Sequence, residues 1–127
     1  MLLYITGSFP ENKEGIASSA KVLLDAMIEI VGKERILLLT TDTPVITRNI
    51  RENAVTEYEL LSDWRMVRNN IHKITSILHK YPITAVHMEY PGDLYGKTFL
   101  ASFLPLIIHR YNRKHEKSIS VNVRLHE

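Results

Sequence analysis

The chain alternates between short continuous apolar runs and stretches in which apolar residues recur every three or four positions. The first run is Leu2–Ile5, and helical spacing follows from Ile16 to Val31, just before Gly32. Residues 36–39 form a second continuous run. Such runs are typical of strands buried on both faces of a parallel sheet, and the spacing between them is typical of a helix. The chain is therefore predicted to open with a strand, a helix that ends at a glycine and a second strand.

The same alternation continues through the middle of the chain. Residues 41–54 are polar and predict a long loop, and residues 55–61 predict a third strand. Ser62 and Asp63 are candidate N-caps of a second helix, which Pro82 ends. Residues 83–88 predict the next strand, and residues 89–97 a loop. Five apolar residues at helical spacing define the predicted buried face of the second helix: Trp64, Val67, Ile71, Ile74 and Leu78.

The last part of the chain predicts one further helix and one further strand. Thr98 is the candidate cap of a helix from residue 99 to about residue 113, with Pro105 inside it. This helix is apolar nearly all round through Ile108, so we expect it to be buried on more than one side and kinked at the proline. Residues 119–125 alternate between apolar and polar, which predicts a strand with one polar face. Such a strand is either the edge of the sheet or lacks a covering element.

The order of these elements predicts the α/β class. We expect a single Rossmann-like domain over residues 1–127, a three-layer α/β/α arrangement with a mainly parallel sheet. The net charge of +2 is too small to indicate a nucleic-acid partner. The absence of cysteine excludes disulfides and thiolate metal sites, and we expect neither a metal nor a cofactor. The apolar runs are too short for a signal peptide or a membrane span, so we expect a cytoplasmic protein, at most peripheral to the inner face of a membrane.

The first loop carries Gly7 and Gly15 between a predicted strand and a predicted helix. This arrangement presents backbone N–H groups to a phosphate or another anion. The two glycines are eight residues apart with Pro10 between them, which excludes the G-x-G-x-x-G fingerprint of dinucleotide-binding domains. A plain strand-to-helix connection with two turn glycines is the alternative interpretation.

A second loop, residues 91–98, ends in Gly-Lys-Thr as a nucleotide-binding P-loop does. Pro91 stands where the first glycine is required, and counting from Gly92 leaves the loop one residue short. His126 follows the last strand at the position of the aspartate that would hold Mg²⁺. The simpler interpretation is a loop in which Lys97 and the next residue begin a helix.

Four segments occur along the chain in an order that one enzyme family shares. They are Gly7-Ser8-Phe9-Pro10 with Gly15-Ile16-Ala17; Val86-His87-Met88-Glu89-Tyr90-Pro91; Tyr95-Gly96 before a helix containing Leu104-Pro105-Leu106; and a strand running into Leu125-His126-Glu127. This ordered set resembles the N-terminal domain of retaining GT-B glycosyltransferases of the large glycosyltransferase family 4-like group, which includes relatives of sucrose and glycogen synthases. The resemblance covers essentially the whole chain, although no single segment is specific by itself.

The resemblance implies an incomplete GT-B N-terminal domain that lines one wall of a cleft and mainly holds the acceptor. Gly15 and Ile16 match the loop that approaches the donor phosphate and the acceptor. His126 matches a histidine that touches the donor sugar near the reacting carbon, and is the candidate catalytic residue. Glu89 would accept hydrogen bonds from acceptor hydroxyls, with a solvated loop carboxylate as the alternative. The other substrate-binding candidates lie in the loop after it: Tyr95, Gly96 and Lys97.

The resemblance also implies a function for the chain. It would be the acceptor-side part of an enzyme that transfers a sugar, with retention, from a nucleotide-sugar donor to a sugar or lipid-linked acceptor in polysaccharide or glycolipid biosynthesis. The family's C-terminal nucleotide-sugar-binding domain has no counterpart here, so we expect no activity from this chain without that domain, whether fused or supplied by another chain. The expected protein partners are this missing domain or a second copy of the chain. The first alternative is a non-catalytic Rossmann-like module that binds a phosphate-bearing ligand, or a protein partner through residues 99–108. A P-loop-like nucleotide binder is the third interpretation.

Overall fold

A computed structural model describes residues 1–7, 16–42, 57–90 and 98–125, and these form a parallel five-stranded sheet with three α-helices. The α/β prediction is confirmed. In chain order the elements are β1 (Leu2–Ile5), α1 (Ile16–Val31), a 3-10 turn (Lys33–Arg35), β2 (Ile36–Thr41), β3 (Tyr58–Leu61), α2 (Arg68–Lys80), β4 (Ala85–Tyr90), α3 (Leu100–His115) and β5 (Ser120–Leu125). Most of the predicted loop after β2 lies outside the described residues, and β2 itself extends to Thr41.

The strand order is β3-β2-β1-β4-β5, and every neighbouring pair of described strands is parallel. The chain winds outward from β1 through β2 to β3, then returns to β4 on the other side of β1. This reversal makes the β1–β4 pair the topological switch point, where open α/β sheets bind ligands beyond the carboxyl ends of their strands. The Rossmann-like arrangement therefore predicts a ligand site beyond the carboxyl ends of β1 and β4.

The sheet buries apolar side chains on both faces. Leu3 and Ile5 of β1 point into the larger core, where α2 contributes Ile74 and α3 contributes Leu104. Tyr4 points to the opposite face, where Leu24 of α1 packs against it. All these side chains are fully buried, and each buried Leu or Ile stabilises the fold by roughly 1.5–3 kcal/mol. The three layers follow directly from the continuous apolar runs of the central strands.

The start of α2 differs from the prediction. The helix begins at Arg68, so neither Ser62 nor Asp63 caps it. The Asp63 Oδ1 atom instead accepts hydrogen bonds from the Arg65 backbone N–H at 3.0 Å and from the Asn70 Nδ2 atom at 2.8 Å. Trp64 lies before the helix and is buried, so it is not part of the predicted helix face. Asp63 organises a turn because its carboxylate bonds nearby backbone and side-chain donors as readily as helix N–H groups.

The burial of α3 was also predicted wrongly. Leu104, Ile108 and other residues of one face are buried, but the side chains of Phe103 and Leu106 are 44% and 52% exposed. Among the described residues no second layer covers them, because α3 packs only on the sheet and beside α2. Phe99 rather than Thr98 directly precedes the helix, and Phe99 makes no side-chain capping hydrogen bond.

The polar-faced last strand was predicted correctly. In the described part of the chain, β5 pairs only with β4 and is an edge of the sheet. Ser120 and Asn122 are exposed, whereas Val121 and Val123 pack against the larger core. The described helices include none that is long and apolar enough to cross a membrane.

Candidate functional site

The strongest candidate site surrounds Glu89, the penultimate residue of β4. The sequence placed this residue at the start of a loop, but it still belongs to the strand. Its side chain is fully buried, so it is not a solvated loop carboxylate. Since β4 and β1 form the switch point of the sheet, Glu89 lies close to the crevice in which this class of fold binds ligands.

Three side chains meet one oxygen of Glu89. The Tyr4 hydroxyl donates to Oε1 at 2.5 Å, the His87 Nε2 atom lies 3.3 Å from it, and the Arg124 Nη1 atom donates to it at 3.3 Å. Strand register explains why these residues meet. His87 pairs with Tyr4 across β1–β4, and Glu89 pairs with Arg124 across β4–β5. Residues two apart on a strand share a face, so all four side chains lie on one side of the sheet.

The cluster supplies what a buried carboxylate requires. Removing a carboxylate from water is costly unless hydrogen bonds and an opposite charge replace its hydration. Tyr4 and Arg124 provide these, and the Tyr4 ring also stacks on the His87 ring with centroids 5.1 Å apart. The His87 contact is a hydrogen bond to the carboxylate when the imidazole carries its hydrogen on Nε2. From these partners, with the Arg124 cation held beside the carboxyl group, we infer that Glu89 is ionised.

Arg124 connects this cluster to the surface. Its side chain is 35% exposed while Glu89 is fully buried. A guanidinium has five N–H donors in a planar fork, so a bond from Nη1 to Glu89 is compatible with further bonds from its other N–H groups. The arrangement can orient Arg124 toward a ligand that carries hydroxyl or phosphate oxygens, with Glu89 determining its position.

Other hydroxyl side chains lie at the same ends of the strands. Thr6 and Thr40 are fully buried at the ends of β1 and β2, and the Thr40 Oγ1 atom has no hydrogen-bond partner in the described structure. The Thr41 hydroxyl donates to the Gly7 carbonyl at 2.6 Å and accepts from the Trp64 Nε1–H at 2.8 Å. A polar layer thus closes the carboxyl edge of the sheet above the apolar core.

Sequence reasoning identified Glu89 but missed its three partners. The spacing of His87 and Glu89 was a usable signal, because residues two apart on a strand face the same side. Tyr4 gave no signal, since it lies inside the first apolar run. Arg124 looked like one member of a polar strand face, and only the β4–β5 register brings it to Glu89.

Most of the other predicted site residues lie outside the described part of the chain. Ile16 is the first residue of α1. Five predicted residues are not among those the structure describes: Gly15, Tyr95, Gly96, Lys97 and His126. Their convergence on one cleft stays a prediction, as does the P-loop interpretation of residues 91–98. No group of three or more potential metal ligands occurs among the described histidine, aspartate and glutamate residues.

A second charged cluster lies on the edge strand β3. The Glu59 carboxylate accepts hydrogen bonds from Lys73 at 2.9 Å, Tyr81 at 2.9 Å and Lys80 at 3.4 Å. Burial acts to raise the pKa of Glu59, but these bonds and the charge of Lys73 outweigh it, so the pKa lies below its ordinary value of 4.5. The cluster joins β3 to α2 and to Tyr81, the residue that follows α2, so its role is structural.

No protein-family model, no curated protein sequence and no solved structure matches this chain.

Proposed function

We propose that this chain is the acceptor-side N-terminal part of a retaining GT-B glycosyltransferase that uses a nucleotide-sugar donor. The observation that supports it best is the Glu89–Arg124 pair, which lies at the carboxyl end of the β1–β4 switch point. Glu89 belongs to one of the segments that carry the resemblance to this family. Open α/β sheets bind their ligands at this place, so the residue type and the location agree.

In this proposal the cluster recognises hydroxyl groups of a sugar or lipid-linked acceptor. Arg124 donates to acceptor oxygens, and buried Glu89 keeps its guanidinium in one orientation. Gly15 and Ile16 approach the donor phosphate and the acceptor, and His126 contacts the donor sugar. Tyr95, Gly96 and Lys97 complete the acceptor wall. The reaction takes place in the cytoplasm or at the inner face of a membrane.

The proposed enzyme needs a second domain for catalysis. A departing nucleoside diphosphate requires positive charge or N–H donors where negative charge develops. Arg124 is already bonded to Glu89 and would be a weak substitute for a dedicated phosphate clamp. We therefore propose that the nucleotide-sugar-binding domain supplies this stabilisation and that the present chain has no transferase activity alone.

The test is a ligand titration of the isolated chain, followed by amide chemical shifts. Mono- and disaccharides should shift resonances of β4 and β5 near Arg124, and UDP, GDP and their sugars should bind weakly at most. Arg124→Gln should remove the sugar response, whereas Glu57→Gln, at an exposed position beside β3, should retain it. Absence of any sugar response at this edge would contradict the acceptor site. Sugar transfer by this chain alone would contradict the need for a second domain.

A second candidate function is a non-catalytic binding module with a protein partner. It is favoured by one observation, the exposure of Phe103 and Leu106 on α3, within the segment predicted to bind a partner. The two candidates separate experimentally, because a binding module would give no sugar response and would associate through α3. Binding of ATP that requires Mg²⁺ and is lost in Lys97→Ala would instead support the P-loop interpretation.

A further inference from the structure

Three donor groups converge on one oxygen of Glu89, which is more than a single oxygen accepts at full strength. A carboxylate oxygen offers about two lone-pair sites. The Tyr4 hydroxyl occupies one of them through its 2.5 Å bond. The His87 Nε2 atom and the Arg124 Nη1 atom both lie 3.3 Å from the same Oε1 atom, beyond the usual N–H···O separation of about 2.9–3.0 Å. His87 and Arg124 therefore compete for the second site.

The charge of His87 affects this competition directly. Histidine is the side chain that ordinarily changes charge between about pH 5 and 8. A neutral imidazole offers Oε1 a neutral hydrogen bond, whereas the guanidinium of Arg124 offers a charge-assisted one, which is shorter and stronger. A protonated imidazole also offers a charge-assisted bond, and its positive charge repels the guanidinium. Protonation thus removes the advantage that Arg124 has over His87.

We propose that protonation of His87 transfers the Glu89 Oε1 atom from Arg124 to the imidazole, so that Glu89 holds Arg124 in place only while His87 is neutral. His87 is then a positioning residue, which acts on a ligand through the other two side chains. The consequence for a sugar ligand rests on the proposed function, in which the held Arg124 donates to acceptor oxygens. The exchange of donors at Oε1 does not rest on it.

Exposure determines which of the two donors leaves. The Arg124 side chain is 35% exposed, so water can replace its bond to Glu89 at little cost. The His87 side chain is only 9% exposed and is stacked on the Tyr4 ring, so it has no comparable access to water. Arg124 is therefore the group that moves.

The charged and titratable groups around His87 come from three neighbouring strands. Tyr4 of β1 stacks on the imidazole, Glu89 follows it on β4, and Arg124 of β5 reaches Glu89. The residue that pairs with His87 across β4–β5 is the uncharged Asn122. From α1, apolar Leu24 packs against Tyr4. The described carboxylates of α1 lie on its exposed surface: Asp25 and Glu29.

Side-chain nuclear magnetic resonance of the intact chain without ligand tests the exchange. The ring resonances of His87 and the guanidinium resonances of Arg124 are followed from about pH 5 to 8. Both should shift with one common midpoint. At the acidic end the Arg124 resonances should approach those of the exposed Arg113 on α3. This measurement on the wild-type chain requires no variant to fold.

Two variants and one control assign the shift to His87. His87→Gln keeps a side-chain N–H donor but gains no charge, so the Arg124 resonances should stay constant. His87→Phe keeps a ring against Tyr4 and should behave in the same way. His72→Gln is the matched control, because His72 is exposed on α2, which packs on the opposite face of the sheet. The Arg124 shift should persist in this control.

Three results would overturn the exchange. The first is an Arg124 signal that stays constant while the His87 ring titrates. The second is an Arg124 shift that persists in both His87 variants. The third is a His87 ring that keeps one charge over the whole pH range.

A saccharide titration separates this proposal from the proposed function, with glucose, maltose and sucrose as probes. The apparent affinity of a ligand falls with the fraction of the chain in the binding-competent form, so it should fall roughly three- to tenfold between about pH 7.5 and 5.5. It should stay constant in His87→Gln. A saccharide affinity that is equal at both pH values would overturn the control of the site by His87. No saccharide response at either pH, with the ligand-free exchange observed, would contradict the acceptor site and leave the exchange standing.

Discussion

The Tyr4–Glu89 hydrogen bond gives a prediction with a defined magnitude. The substitution Tyr4→Phe removes the hydroxyl that donates to Oε1 at 2.5 Å and keeps the buried ring against His87. The apolar burial is nearly unchanged, so the loss is that of the hydrogen bond. A hydrogen bond to a charged partner contributes about 1.5–3 kcal/mol, and a neutral one about 0.5–1.5 kcal/mol. We expect Tyr4→Phe to lower the free energy of unfolding by about 2 kcal/mol.

A double-mutant cycle separates the charge of Glu89 from the other effects of the substitution. In a Glu89→Gln background the acceptor is neutral, so Tyr4→Phe should lower the free energy of unfolding by only about 1 kcal/mol. The coupling free energy between the two sites is then about 1 kcal/mol. In the wild-type background, the loss corresponds to a fall in the midpoint of thermal unfolding of roughly 6–10 °C for a domain of this size.

The measurement is urea unfolding at pH 7 followed by far-ultraviolet circular dichroism. Tyr58→Phe is the matched control, because Tyr58 is half-buried on β3 and away from the cluster. It should change the unfolding free energy by less than about 0.5 kcal/mol. Equal losses from Tyr4→Phe in the two backgrounds, or a loss no larger than in the control, would refute the assigned role of the ionised carboxylate.

Two other substitutions test the edge of the sheet and the end of α3. Since the Glu59 pKa is lowered in the folded state, its carboxylate stabilises the protein above pH 4.5, and this contribution should disappear as the pH falls through the folded pKa. The difference in unfolding free energy between wild type and Glu59→Gln should therefore shrink on acidification, and exposed Glu57→Gln is the control. A difference that stays constant with pH would contradict this role of the Glu59 carboxylate. Glu116 ends α3 with a left-handed backbone, φ 52° and ψ 45°, so Glu116→Gly should raise the unfolding free energy by about 0.5–1 kcal/mol. Lys117→Gly, where φ is not positive, should lower it, and a thermal scan in which both changes act alike would argue against the conformational cause.

The sequence predicted best those elements whose apolar pattern alone determines their secondary structure. Leu2–Ile5 could be identified as a strand because its run is continuous and short. The start of α2 could not, because Asp63 is a residue type that caps helices and organises turns equally well. The exposure of Phe103 was missed for a different reason. Helical spacing shows which residues share a face, but not whether another element covers that face.

The candidate site depends on contacts between residues distant in sequence. Tyr4 and Glu89 are 85 positions apart and meet only because β4 pairs with β1. Nothing in the local sequence specifies that pairing, since it follows from the order of strands in the finished sheet. The sequence therefore identified one member of the cluster, and the fold assembled the rest.

Trp64 gives the protein a built-in optical probe at the carboxyl edge of its sheet. It is the only tryptophan in the chain, and its side chain is 2% exposed. Its indole N–H donates to Thr41 at the end of β2, and its carbonyl accepts the Leu100 backbone N–H at the start of α3. Any ligand or variant that separates these two elements will admit water to the indole and shift its fluorescence emission to longer wavelength, without an added label.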